Sequence, residues 1–492
     1  MLDELTRDRR RLLAAVLLLL LLAAAVRLYH IQWSFSNNGI DEGVMIERSL
    51  MVSHGYKLYA ELPCDQAPLA FYIGSLFGGD VVSLRVLVAA LSLLAIGASM
   101  FVSMRIKDSK AMLLTGLLLS LDFVFLRESR LFSLDAVSSC FIAFSIPAFL
   151  SYVRKGDRSM LALAGLFAGL STASKLFGAL ALIGMLLFMV LESRREKKGF
   201  AKAAIDMLLV TVVAALPLVA FMAYLGPGDM IQGMVFDQGQ RGFDPFLKLS
   251  IVAFLGLNIA YVLPLVYARS LWRRSKETRY VLCLSLVILA FMVVQPLVFL
   301  HHMTLLSPPL AILAGVFISD ALKTDKSASD NSNNGGLVNK RTISRNAAIA
   351  VFAVGIIISA SIGTYGLALQ KKPAQAAYAD WLRTATAPGD FVVSGDPIIC
   401  AYADRMMPPE VVNVAFRQHT DLTLDTIIQA IHDYNVSVVI VGYRLNSLEG
   451  LTSYLNASGF VKVVIPIATS TAAALDLFQE EVGPITVYAR GT

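Results

Sequence analysis

Apolar residues fall in long unbroken runs along this chain, divided by short polar stretches. Runs near 12–29, 81–104, 111–126, 131–153, 160–174, 176–192, 203–225, 247–268, 280–300, 303–319 and 347–369 approach the roughly 20 residues a helix needs to cross a bilayer core. The pattern predicts about eleven transmembrane helices. The first run follows Arg7, Arg9, Arg10 and Arg11 as a signal peptide would, but no small-residue cleavage site precedes Arg27 and Tyr29, so it reads as an uncleaved span. Residues 160–192 are barely long enough for two crossings. Basic clusters on both flanks demand an even number, which predicts two short helices with a Ser174-Lys175 apex sunk below the outer interface.

Three segments break the pattern. Residues 30–80 form a long loop with an amphipathic stretch, Met45, Ile46, Leu50 and Met51 against Glu47, Arg48 and His54, suited to lying along a membrane surface. Residues 321–346 are rich in Ser, Asn and Gly and read as a flexible linker. Residues 374–492 alternate helical patterns (374–386, 421–434, 447–457) with strand patterns near 391–393, 436–441, 461–465, 475–478 and 485–489, as a small α/β layer domain does. The predicted fold class is an α-helical polytopic membrane protein with a small C-terminal α/β domain. Its parts are a helical module over 1–320, the linker, a last helix at 347–369 and the domain at 374–492.

Composition agrees. The chain is 56% hydrophobic and 16% charged, with a mean hydropathy of +0.66; soluble proteins have about 25% charged residues. A soluble enzyme, a disordered scaffold and a nucleic-acid binder are excluded, and the excess of Lys and Arg serves as a topology marker. With the N-terminus cytoplasmic and every run crossing, 25 Lys and Arg fall inside and nine outside up to residue 346, and no inner loop lacks basic residues. This places the chain in the plasma membrane with the domain at 374–492 extracytoplasmic. The four Cys form no metal-finger spacing, and the C-terminal domain has no glycine-rich phosphate loop, so no nucleotide cofactor is implied.

Polar residues at membrane depth are functional candidates, and here they gather at the outer face. Asp41 and Glu42 follow the first span in IDEG, where a carboxylate can serve as general base or hold a metal. Tyr59 and Asp65 lie in GYKLYAELPCDQAPLAFY, a loop rich in aromatics and proline. Asp122, Arg127, Arg130 and Asp135 cluster between the third and fourth runs; the arginines bind an anion there, or Arg130 pairs with Asp135 across a helix turn. Lys175 needs a counter-ion, for which a lipid phosphate is suited. Arg241 is a further phosphate candidate, and His301-His302 suits phosphate or substrate contact better than a zinc site.

These motifs resemble those of GT-C superfamily glycosyltransferases, closest to the branch of protein O-mannosyltransferases and lipid A aminoarabinose transferases. IDEG, GYKLYAELPCDQAPLAFY, RLFSLDAV, STASKLFGALAL and HHMTLLSPPLAILAG carry the resemblance, over roughly residues 30–320. It implies a polyprenyl-phosphate sugar donor and transfer with inversion. Asp41 matches the family's catalytic acid, Glu42 the second acid of the O-mannosyltransferase pair, Asp135 with Arg130 its Arg…Asp pattern, and Lys175 its hairpin lysine. Donor-phosphate contacts are expected from Lys175, Arg130, Arg241, His301 and His302, and a substrate cleft from Tyr59, Asp65, Arg127 and Asp122. A monophosphate leaving group implies weak or absent metal dependence, although Asp41, Glu42 and Asp135 could assemble a divalent ion site. The acceptor is a lipid-linked glycan, a glycolipid or a protein. The rival readings are a lipid flippase or transporter, which favours ionisable groups near the midplane, and a non-enzymatic scaffold.

Overall fold

The computed structural model describes residues 2–33, 39–196, 200–237, 242–322, 345–370, 372–413, 422–466 and 484–491. Helices stand at all eleven predicted runs: α1 Leu2–Leu28, then, after the loop helices α2 Gly39–Ser53 and α3 Leu69–Ser75, α4 Val81–Ile106 and α5 Ser109–Leu121. The short α6 Phe123–Glu128 leads to α7 Leu134–Lys155, α8 Arg158–Ser174, α9 Ala179–Glu196 and α10 Phe200–Leu225. There follow α11 Pro227–Ile231, α12 Leu249–Leu257, α13 Val262–Val266, α14 Ala268–Trp272, α15 Lys276–Val294, α16 Ser307–Ala321 and α17 Arg345–Leu369.

Among the described residues, eight helical segments are long and apolar enough to cross a membrane, and the α12–α13 pair, bent by 94°, makes a ninth if it is one span. The chain is an integral membrane protein. The helix α5 is shorter at 13 residues, and α8 has 17. The segment Leu300–Ala321, containing α16, is buried along its most apolar stretch, whereas those of α1, α10 and α17 are 11%, 17% and 22% buried; these three helices form the apolar perimeter. The bend after α12 is tied off locally, because Ser359 Oγ donates to Leu257 O at 2.8 Å and so satisfies a carbonyl the break would leave open.

The C-terminal unit contains α18 Ala374–Ala385, β1 Val393–Ser394, α19 Pro397–Ala403, α20 Leu424–Asp433, β2 Val438–Val441, α21 Leu451–Ala457, β3 Phe460–Val463 and β4 Thr486–Arg490. Its sheet runs β1-β2-β4-β3, parallel between β1 and β2 and antiparallel elsewhere. The strand expected at 475–478 and most of the linker fall outside the described residues. Helix α19 has no counterpart in the periodicity, since Pro397-Ile398-Ile399-Cys400 is buried throughout.

The surface-helix expectation for α2 needs correction. Its Glu47 and Arg48 are fully buried. Arg48 donates to Asn413 Oδ1 at 2.9 Å, and Glu47 accepts from Met407 N–H at 3.3 Å, so the polar face is covered by protein. Val44, Ile46 and Met51 share one apolar core with Ile398, Ile399 and Val438 of the C-terminal unit. Contact is closest at Gly43, where an added Cβ would stand 2.3 Å from Ile398 N and 2.8 Å from Pro397 C. Both neighbours are backbone and cannot rotate away. We expect Gly43→Ala to force α2 and α19 apart, at a cost of about 1–3 kcal/mol, read as a fall of several degrees in apparent unfolding temperature. An unchanged temperature would mean that the seam yields freely.

Candidate active site

Helix α7 organises the site. Its N-cap Ser133 accepts from Ala136 N–H at 3.4 Å and donates to Glu128 Oε2 at 2.6 Å, which places Asp135 in the first turn, where the helix dipole favours an anion. Lys175 Nζ donates to Asp135 Oδ2 at 2.5 Å. Lys175 sits in extended conformation between α8 and a single 3-10 turn, Leu176–Gly178. That turn folds tightly onto α8, since a Cβ on Gly178 would lie 2.3 Å from Ser171 C. His301 and His302 stand on the 3-10 helix Leu300–Leu306 that opens α16, with His301 Nε2 3.9 Å from Asp135 Oδ2. The two rings meet edge to face at 4.4 Å.

Two hydroxyls that sequence reading passed over set this register. Ser138 and Ser139 lie three and four residues after Asp135, on the same helix face. Ser138 Oγ lies 2.8 Å from Ser171 Oγ, and Ser171 Oγ donates to Ser138 O at 2.8 Å, which pins the helix that carries Lys175. Ser139 Oγ donates to Thr304 O at 2.8 Å, pinning the turn that carries the histidines. The signal was present as a serine pair at helical spacing below an acid, inside an apolar run.

Asp41 and Glu42 separate. Asp41 is exposed and lies within electrostatic reach of His301, together with Lys175, Glu128 and Arg127. Glu42 is buried and accepts from Arg85 Nε at 2.8 Å and Nη2 at 2.6 Å, and from Phe132 N–H at 2.9 Å. Both its oxygens are therefore engaged, and Glu42 anchors the start of α2 to α4 and to the approach of α7. It stands apart from the metal-capable group found among the described residues, which is Asp135, His301 and His302.

The outer-rim arginines also differ from expectation. Arg130 does not pair with Asp135 or face the cleft. Fully buried, it donates to Val26 O at 2.5 Å, Arg27 O at 2.9 Å and Tyr29 O at 2.6 Å, closing the C-terminal end of α1, and to Gln370 Oε1 at 2.9 Å. Arg127 pairs with its neighbour Glu128 at 2.8 Å. Asp122 is fully buried and caps α6 through Val124 and Phe125 N–H at 3.0 and 3.1 Å; it also accepts from Tyr261 Oη at 3.0 Å. A helix cap with these partners is a structural post, and Asp122 is not a cleft residue. Arg241 lies outside the described residues.

A cleft of about 250 Å³ opens beside the pair, with Asp65, Gln66, Lys175, Gln295 and His302 as its polar lining and Leu176, Phe177 and Met234 among its apolar walls. Tyr59 stands behind the wall, donating from Oη to Gln66 O at 2.6 Å, and braces the loop that presents Asp65. Asp65 accepts from Gln66 Nε2 at 3.3 Å and lies 3.8 Å from Arg48. Lys175 and His302 stand on a mixed polar and apolar slot, with His301 beside Asp135 and the exposed acid Asp41 within electrostatic reach of His301. A base and fixed cations around such a slot suit displacement at a phosphorylated centre.

Residues 65–222 match the family model for dolichyl-phosphate-mannose-protein mannosyltransferases. The fold is similar over 98% of both chains to that of ArnT from Cupriavidus metallidurans bound to undecaprenyl phosphate, at 17% identity and a TM-score of 0.63. It also resembles the oligosaccharyltransferase AglB of Archaeoglobus fulgidus in complex with an inhibitory peptide and a dolichol-phosphate. That match covers 88% of this chain and 69% of the other at 15% identity, with a TM-score of 0.55. No curated protein sequence matches the chain significantly. Residues 65–222 thus resemble the dolichyl-phosphate-mannose-protein mannosyltransferases, and the chain as a whole shares the fold of ArnT.

Proposed function

We propose that this chain transfers a sugar from a polyprenyl-phosphate donor to an acceptor hydroxyl, with inversion, on the outer face of the plasma membrane. The observation that carries the reading is the Asp135–Lys175 pair at 2.5 Å at the edge of the cleft, with the exposed Asp41 in electrostatic reach of the neighbouring His301. Asp41 takes the acceptor proton as the hydroxyl attacks the anomeric carbon. The bond to the phosphate oxygen breaks on the opposite side, and Lys175, with His301 and His302, stabilises the polyprenyl phosphate that leaves. Asp135 holds Lys175 in place until the phosphate competes for it. The undecaprenyl phosphate bound to ArnT and the dolichol-phosphate bound to AglB support a lipid-linked donor. The acidic and basic groups gather at one end of the bundle, near the covering C-terminal unit, which favours a transferase over a flippase.

The reading is tested with full-length protein in lipid nanodiscs, by following release of a labelled sugar from a synthetic polyprenyl-phosphate sugar, with a nucleotide sugar as control. Consumption of the lipid donor alone supports it; consumption of the nucleotide sugar alone overturns it. Within the same assay, Lys175→Ala is expected to lower kcat by about 10²–10³-fold, the range for removing one fixed group that stabilises developing charge. A Lys175→Ala enzyme with near-normal turnover would assign the phosphate to other cations.

A further inference from the structure

Asp135, His301 and His302 each offer a ligand atom, and these atoms all lie within 4.8 Å of one another. Asp135 is 4% exposed, and its Oδ1 is buried without a hydrogen-bond partner, while Oδ2 holds Lys175. Half of the carboxylate's acceptor capacity is thus unused, and burying it unused is costly. Lys175, which holds Asp135, and His302 both line the cleft, so the group borders a space that a further ligand can enter.

Two imidazoles and one carboxylate form a borderline nitrogen and oxygen donor set. Such a set suits late first-row divalent ions, whereas Ca²⁺ and Mg²⁺ ask for oxygen ligands. Zn²⁺ holds His nitrogen and carboxylate oxygen at about 2.0–2.2 Å, so three tetrahedral ligands stand roughly 3.3 Å apart. Side-chain rotation closes the remaining gap. Ligation has two costs. Where His302 binds through Nδ1 it gives up the 3.3 Å bond that this atom accepts from Phe299 N–H, and the Lys175 ammonium must leave Asp135.

We propose that Asp135, His301 and His302 form a binding site for one late first-row divalent cation, of which Zn²⁺ and Co²⁺ are representative, and that Lys175 and the cation are alternative counter-ions of Asp135. Asp135 brings one negative charge, and the two histidines bind as neutral ligands. An ammonium and a divalent ion on the same carboxylate repel each other, so occupancy by one displaces the other. Lys175 moved off Asp135 is then free to turn toward the cleft. The proposal concerns binding alone and stands whether or not the chain transfers sugar.

The test uses chelator-treated, full-length protein in nanodiscs without donor. Co²⁺ is titrated while the visible d–d absorption of nitrogen-ligated cobalt is followed. One equivalent of Co²⁺ is expected to develop the band, and Zn²⁺ to abolish it. His301→Ala and His302→Ala should each weaken binding by at least about tenfold. Lys175→Met, which removes the rival ammonium, should tighten it. Apparent unfolding temperatures identify any variant that fails to fold, and the Lys175→Met comparison then decides alone. Absence of the band in both wild type and Lys175→Met overturns the site, as does a band that survives both histidine substitutions. Unchanged or weaker binding in Lys175→Met overturns the competition.

Discussion

Asp41→Asn is expected to lower kcat for sugar transfer by about 10²–10⁴-fold, the usual contribution of a positioned general base. The amide keeps the size and shape of the side chain but cannot take the acceptor proton. Because Asp41 is exposed in the first turn of α2, the substitution removes no packing, and the unfolding temperature and donor KM should stay near wild type. Its acidic neighbours among the described residues have other partners. Glu42 is committed to Arg85 and Phe132, and Asp135 to Lys175. A variant with normal turnover would remove Asp41 from the reaction, and the base would have to be sought elsewhere on the cleft.

Ending the chain at residue 373 is expected to leave no folded enzyme. An attached acceptor-docking module would be dispensable for transfer to a small acceptor, but the structure describes a closer union. Glu47 and Arg48 of α2 are buried under the C-terminal unit, and the apolar face of α2 belongs to the same core as β2 and α19. Burial at this seam holds the Glu47 carboxyl well above the usual range and pushes Asp396 up to about 6. Removing the cover exposes the shared apolar core, and Gly43 loses the backbone it packs against. Buried-to-exposed conversion on this scale costs several kcal/mol, comparable with the whole stability of a domain. The truncated chain should show neither a cooperative unfolding transition in detergent nor donor turnover. Retained turnover with a short acceptor would make the unit a separable docking device.

The helices and the C-terminal alternation were legible because the bilayer and the two structural periods write themselves into runs of residues. Much of the site was legible too: Asp41, Asp135, Lys175 and the histidines all stand out as polar groups in apolar surroundings. What the pattern did not disclose is which partner each group takes. Asp135 and Lys175 are 40 residues apart, and no local spacing distinguishes that pair from Asp135 with Arg130. The outer arginines misled for a physical reason. A buried guanidinium needs compensating negative potential, and an anionic ligand is one source of it. The exposed carbonyls at a helix C-terminus are another, and Arg130 uses those of α1. Arg85 uses a third source, the internal acid Glu42. Glu42 beside Asp41 looked like a catalytic pair, but adjacent residues on a helix point about 100° apart, and one of the two had to face the protein.

The serine clamps beneath Asp135 bear on how the kinetics of this enzyme should be interpreted. Ser138 with Ser171 and Ser139 with Thr304 join the three elements of the site through hydroxyl and carbonyl groups that carry no charge and do not titrate between acid and alkaline extremes. The scaffold is therefore blind to pH and nearly blind to ionic strength, while the groups it carries respond to both. A rate that varies with pH would accordingly not report these joints loosening.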